Sequence, residues 1–186
     1  LNKSQLRLHR ESAVEVIRLG IPAGLQNCIF ALANLFIQVG VNSFSSVMVA
    51  GNSAAANADA LIYDVMAAFY TACASFMGQN YGARNKKRVQ QSYFLSLGYS
   101  FAVGLLLGLL LALLGRQFLA LFSPDPQVIE AGMRRLSIMS VSYAFSAFMD
   151  CTIAASRALG KSMAPTVIVI LGSCVFRILW VYTIFA

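Results

Sequence analysis

Four charged side chains fall inside long apolar stretches of the sequence, and these are the residues whose types could do chemistry. They are Asp59, Asp64, Asp150 and Arg177. If the stretches span a bilayer, each charge is expensive there and is expected to face a bundle interior or a water-filled cavity. A carboxylate in such a cavity binds a proton or a sodium ion, and either behaviour would couple the occupancy of the cavity to that ion.

Other polar residues in three of these stretches recur at helical spacing. Residues three, four or seven positions apart share one face of a helix. We therefore expect three helices to present one polar stripe each, and the stripes together to line an aqueous cavity. The stripes are Asn27, Asn34 and Gln38; Asn57, Asp64 and Thr71; and Tyr143, Ser146 and Asp150. Tyr63, Tyr70 and Tyr143 are candidates for cation–π contacts, because aromatic ring faces attract cations.

Each of these polar residues also has a purely structural interpretation. Asp59 lies near one end of its stretch and could simply reach interfacial water, while Arg177 could pair with an acid on a neighbouring helix and serve packing alone. The amides of the first stretch could only join helices by hydrogen bonds. Arg134 and Arg135 are expected to extend along the helix to the lipid headgroups.

The composition indicates that the chain folds in a lipid bilayer. Of the 186 residues, 59% are hydrophobic and 11% are charged, whereas a soluble domain has about 25% charged residues. We predict an all-α, polytopic transmembrane helix bundle of about five spanning helices, since each span takes about 20 residues. The predicted spans are residues 17–41, 54–77, 89–115, 128–155 and 163–186, with loops at 42–52 and from Gly78 to Arg84. This composition excludes an ordinary soluble enzyme, a disulfide scaffold and a disordered chain.

The net charge is +7, and the basic residues are distributed along the chain as in a membrane protein. Ten of the fourteen lysines and arginines lie in residues 1–18, 84–88 and 157–161, on every second connection. This is the positive-inside pattern, and it places residues 1–16, 84–88 and 156–162 in the cytoplasm. Residues 1–16 are thus interpreted as a cytoplasmic linker or interfacial helix. No nucleic-acid partner is expected, because the cations form no single patch on a soluble fold.

No catalytic or metal-binding pattern emerges from the remaining residues. Cys28, Cys73, Cys151 and Cys174 all lie in apolar stretches without a CxxC pair, far from the single histidine, His9. We expect no metal site and no cofactor. An intramembrane protease built on Asp64 and Asp150 would need glycine-flanked signatures that this sequence lacks, so we do not expect an enzyme.

Several short motifs, taken together, resemble one transporter family. They are Leu19-Gly20-Ile21-Pro22; Gly78-Gln79-Asn80-Tyr81-Gly82-Ala83; Leu121-Phe122-Ser123-Pro124-Asp125-Pro126; and Arg157-Ala158-Leu159-Gly160-Lys161-Ser162, followed by Pro165 and Arg177-Ile178. In order and spacing they resemble the multidrug and toxic compound extrusion (MATE) family. The resemblance covers nearly the whole chain from about residue 15. Within the family, the chain is most similar to the carboxy-terminal six-helix lobe.

The resemblance implies a twelve-helix plasma-membrane transporter, in the inner membrane if the source is bacterial. Such a protein expels cationic, amphipathic drugs in exchange for Na⁺ or H⁺ while two lobes rock around a central cavity. Residues 1–16 would join the lobes, residues 17–186 would form the second lobe, cut short in its fifth helix, and the amino-terminal lobe would be missing from this chain. In family members, the first, second and fourth helices of this lobe line the cavity. The corresponding three helices carry the polar stripes in this sequence.

The sequence departs from the family pattern at the expected ion site. Some members carry a glutamate in the first helix of this lobe, where this chain has only Asn27, Asn34 and Gln38. Members with an acid in the fourth helix place it about one turn before Asp150. The choice between Na⁺ and H⁺ therefore stays open. Two other functions also stay open, a flippase for lipid-linked oligosaccharides from the same superfamily and a non-transporting membrane scaffold.

Overall fold

The computed structural model describes residues 10–183, except for the side chains of residues 181 and 182. Within this range the chain forms long helices and no strand. They are α1 (Arg10–Val41), α2 (Ser46–Gly82), α3 (Lys86–Ala120) and α4 (Pro126–Ala158), then a fifth segment made of α5 (Met163–Val169), a π-helical turn (Ile170–Val175) and α6 (Phe176–Thr183). Five of the described segments are long and apolar enough to cross a membrane. The predicted all-α, multi-pass membrane fold is confirmed.

The helices extend beyond the predicted spans at several ends. Helix α1 already begins at Arg10 and continues through Pro22, so residues 10–16 are helical and continuous with the first span. Helix α2 begins at Ser46, which leaves a shorter loop than the predicted 42–52, and it runs through Gly78 to Gly82. The prediction that Gly78 ends α2 is wrong, because one glycine weakens a helix by only about 1 kcal/mol and packing outweighs that. Residues 1–9 and 184–186 of the predicted linker and fifth span lie outside the described residues.

The contacts divide the chain into two units. The three-helix unit comprises residues 38–159, and so α2, α3 and α4. The flanking unit falls within Leu1–Ile37 and Gly160–Ala186, and so holds most of α1 and the whole fifth segment.

Small residues bring the helices of the three-helix unit close together. Its core runs from a cluster of alanines and leucines that includes Ala55 and Leu136, through one around Met66 and Tyr143, to one around Cys73 and Ala155. A Cβ added at Gly108 of α3 would overlap the carbonyl group of Ser140 on α4. In lipid, such close backbone approach supplies much of the packing between helices.

Replacement of Gly108 by alanine should therefore destabilise the unit. We expect Gly108→Ala to cost about 1–3 kcal/mol, because the new methyl group forces α3 away from α4. Gly98→Ala on the same helix is the matched control, since the added Cβ there meets no atom of a neighbouring helix within 4 Å. Thermal unfolding of the purified protein in detergent measures the difference, and equal unfolding midpoints for the two variants would contradict the packing assignment.

Candidate functional site

A buried polar cluster joins α2 to α4 inside the three-helix unit. Asp59 is 7% exposed; its Oδ2 accepts a hydrogen bond from Nη2 of Arg135, and its Oδ1 accepts one from the hydroxyl of Tyr143. Nη1 of Arg135 donates to the side-chain oxygen of Asn52, and also to its backbone carbonyl at 3.3 Å. Both carboxylate oxygens of Asp59 are thus occupied by protein donors.

The local sequence explains why these side chains meet. Asn52 and Asp59 are seven residues apart, which places them on the same face of α2. Next to Asn52, a Cβ on Gly51 would come within 2.8 Å of the backbone nitrogen of Gly132 on α4. Because the two backbones nearly touch there, the Arg135 guanidinium can reach across to α2.

The structure corrects three sequence-based interpretations at this cluster. Arg135 does not extend to the headgroups but binds Asp59 and Asn52, whereas its neighbour Arg134 forms an exposed ion pair with Glu130 at 3.2 Å. Asp59 does not rely on interfacial water, because its carboxylate is bonded inside the unit. Tyr143 offers no open cation–π face, since its side chain is fully buried.

One signal in the sequence points to the pairing of Arg135. Arg134 has an acid four residues earlier, Glu130, whereas Arg135 has Ala131 in the equivalent position. A cation in an apolar helix with no acidic neighbour on its own helix needs a partner on another one. The partner is Asp59 on α2, 76 residues away, which no pattern along α4 identifies.

Tyr63 extends the buried cluster towards the surface of the unit. Its ring packs edge-on against that of Tyr143, with the centroids 5.7 Å apart and an interplanar angle of 81°. The Tyr63 side chain is 38% exposed. It is therefore the aromatic group of this cluster that a molecule outside the unit can contact.

The other two predicted acids form a separate and more open group. Asp64 is exposed on α2 and Asp150 is half-buried on α4. Tyr70, six residues after Asp64 on α2, is also only partly buried. Asp64, Tyr70 and Asp150 all belong to the three-helix unit. Ser146, on the same predicted stripe as Asp150, donates to the Tyr143 carbonyl of its own helix at 2.8 Å.

In the flanking unit, the amides of α1 face the fifth segment only in part. Nη1 of Arg177 donates to Oδ1 of Asn34 at 3.2 Å, and its guanidinium carbon lies 5.9 Å from the ring centroid of Phe30. The expectation of an acidic partner for Arg177 is therefore wrong among the described residues, because an amide and an aromatic face take that place. Asn27 is exposed.

Two further polar contacts complete the description of the predicted stripes. Sequence reasoning missed the buried Gln26, whose Oε1 accepts from the Thr166 hydroxyl at 3.1 Å. Gln38, in the three-helix unit, donates to Asn42 at 2.9 Å.

Among residues 10–183, no three histidines, cysteines or acids lie close enough together to hold a metal ion. The aqueous cavity between the three stripes stays a prediction.

Truncation of Asp59 tests the buried ion pair. We expect Asp59→Ala to destabilise the protein by about 2–4 kcal/mol, because it leaves the largely buried guanidinium of Arg135 without a counter-charge. Glu130→Ala, which removes an exposed ion pair on α4, should cost less than about 0.5 kcal/mol. Thermal unfolding again supplies the measurement. If both variants unfold at the same temperature, the cluster does not carry the stability assigned to it here.

Comparison with known proteins places the chain in one family. The family model described as MatE matches residues 22–183. Among curated proteins, the chain is 28% identical over 135 residues to the probable multidrug resistance protein YpnP of Bacillus subtilis, covering 73% of this chain and 30% of that protein. It is 25% identical over 166 residues to the probable multidrug resistance protein NorM of Thermotoga maritima, covering 84% and 34%.

A third relative carries a different description. The FAD transporter of Shewanella oneidensis is 33% identical over 109 residues, which cover 59% of this chain and 24% of that protein. The chain therefore spans about a third or less of the length of each of these relatives. The family match, however, extends over the five helices that could span a membrane, and on that match the chain is a multi-pass membrane protein that belongs to the MatE family.

Proposed function

We propose that this chain is part of a secondary active transporter that exports cationic, amphipathic drugs in antiport with Na⁺ or H⁺ by alternating access. The observation that carries the proposal is the family match over residues 22–183. Two of the relatives described above are named as probable multidrug resistance proteins, which supports drug efflux. Membership of a transporter family also favours transport over an enzymatic reaction.

The length of the relatives supports a second part to this transporter. Because the chain spans only about a third of them, we infer that a second lobe completes the transporter. The motif resemblance assigns residues 17–186 to the carboxy-terminal lobe and residues 1–16 to the connection between lobes. The missing amino-terminal lobe would supply the other wall of the central cavity. Rocking of the two lobes would then expose the cavity to each side of the plasma membrane in turn.

The contacts of the acids suggest which of them bind the transported or coupling cation. Asp59 already accepts bonds from Arg135 and Tyr143, so a cation would have to displace the guanidinium. Asp64 is exposed and Asp150 is half-buried, and neither takes part in the ion pairs found among residues 10–183, those of Arg134 and Arg135. We assign cation binding to these two carboxylates, with Tyr70 and the exposed ring of Tyr63 as aromatic contacts.

The alternatives have less support among the residues of this chain. A flippase for lipid-linked oligosaccharides needs cationic side chains grouped around a pyrophosphate in the central cavity, whereas Arg135 and Arg177, which lie within the described spans, are already bonded to Asp59 and to Asn34. A dinucleotide such as FAD is likewise anionic and would need such a group. A non-transporting scaffold would show no movement of substrate at all.

Neutral replacements of the two accessible acids test the proposed transport. In the full-length protein, Asp64→Asn and Asp150→Asn should each slow ethidium efflux about tenfold or more, since a lost interaction with a charge is worth about 1.5–3 kcal/mol. Glu130→Gln, an exposed acid paired with Arg134, is the matched control and should transport normally. Efflux is measured in vesicles with an imposed Na⁺ or proton gradient, which also identifies the coupling ion. Unchanged efflux in both aspartate variants would refute the assignment of these acids.

The orientation in the membrane is tested separately. Single cysteines are introduced at Ser123 and at Lys86 in a variant from which the exposed Cys28 and the other native cysteines have been removed. A membrane-impermeant maleimide added to intact cells should label the cysteine at 123 and leave that at 86 unlabelled, because basic connections stay in the cytoplasm. The reverse labelling pattern would overturn the orientation, whatever the transported substrate is.

A further inference from the structure

A cavity of about 580 Å³ opens where α2 turns into α3, beside the end of α4. Its lining includes the cationic side chains of Arg84 and Lys86 together with the apolar side chains of Tyr81, Val89 and Leu159. We call Arg84 and Lys86 the cationic side of the cavity, and Tyr81, Val89 and Leu159 its apolar side. All of these residues belong to the three-helix unit.

The cations around this cavity have no counter-charge from the described part of the chain. Arg84, Lys86, Lys87 and Arg88 are exposed, and the ion pairs found among residues 10–183 are those of Arg134 and Arg135. The sequence has no acidic residue between Asp64 and Asp125. An anion that neutralises these side chains therefore has to come from outside this segment.

Arg84 occupies a backbone conformation that usually belongs to glycine. Its φ is 56°, its N–H donates to the carbonyl of Tyr81 at 2.9 Å, and the next N–H donates to that of Asn80 at 2.9 Å. This is the Schellman ending of a helix, whose left-handed position is filled most often by glycine. Helix α4 does have a glycine there, Gly160 with φ 78°. An arginine in this conformation is strained, and such strain is found preferentially where a side chain has a function.

The apolar side of the cavity is continuous with the core of the bundle. Val89 and Leu159 pack against the core cluster of Cys73, Met77 and Ala155. Because α2 and α3 are both long enough to cross the membrane, the turn between them lies at a membrane surface. A turn at the membrane surface brings Arg84 and Lys86 within reach of lipid headgroups.

From this geometry we propose that the cavity binds an anionic phospholipid. Arg84 and Lys86 hold the phosphate, and the start of an acyl chain lies along Val89 and Leu159. A free phosphate would satisfy the cations but would leave the apolar side exposed to water, so a lipid fits both sides. Anionic headgroups are also concentrated at the membrane surface where basic residues accumulate. The proposal depends on the membrane-spanning fold and is independent of the transported substrate.

The test compares two pairs of neighbouring cations. Native mass spectrometry of the full-length protein in detergent measures the apparent affinity of the first bound phosphatidylglycerol, with phosphatidylcholine as the neutral reference. We expect the double variant Arg84→Gly, Lys86→Gln to bind phosphatidylglycerol at least tenfold more weakly than the double variant Lys87→Gln, Arg88→Gln, because charge-assisted bonds in a cavity exceed diffuse attraction. Both variants lose two positive charges from the same connection.

Folding does not confound this comparison, because glycine at position 84 relieves the left-handed strain at the end of α2. Equal losses in the two double variants would overturn the proposal in favour of diffuse attraction to the whole basic run.

A second arm adds inorganic phosphate as competitor. If phosphate displaces phosphatidylglycerol at equal concentration, the cavity is a site for a soluble anion and the lipid proposal fails. A Leu159→Asn variant should weaken phosphatidylglycerol binding if an acyl chain contacts this side chain, and unchanged binding would contradict that contact.

Discussion

The contact between Asp59 and Arg135 is the constraint on which the three-helix unit depends. Lipid offers no partner to a polar group, so a charge placed between α2 and α4 has to be neutralised by the opposite helix. Asn52 and Tyr143 complete the set of bonds. The helices can meet these requirements only in one register. The pair and the close approach of Gly51 to Gly132 together specify which turns of α2 and α4 face each other.

Helix α2 carries two acids with different environments, one bonded within the unit and one exposed. Asp59 and Asp64 are five residues apart, which places them about 140° from each other around the axis of α2. Asp59 lies on the face that packs within the unit, and Asp64 lies on a face that the unit leaves exposed. One carboxylate can thus stabilise the bundle while the other remains accessible from outside the unit.

The sequence was sufficient to predict the fold class but not the partners of its polar residues. Span number and type follow from hydropathy, which is local, and the five predicted spans correspond to the described helices. Helix ends were less accurate, since α2 continues through Gly78 because tertiary packing outweighs local propensity. The Arg135 and Tyr143 interactions depend on residues more than seventy positions away. No periodicity along one helix identifies such a partner, and the proposed cavity between three stripes is non-local in the same way.

The two ends of the three-helix unit neutralise their cations in different ways. Near Gly51 and Gly132 the backbones are close enough for one arginine to reach an acid of the protein itself. At the turn after Gly82, Arg84 and Lys86 form no ion pair with an acid among the described residues. Arg84 itself has a left-handed backbone conformation. A counter-charge inside the bundle fixes helix register permanently. A counter-charge taken from the membrane makes that end of the unit responsive to lipid composition, so the bilayer serves as a ligand there as well as a solvent.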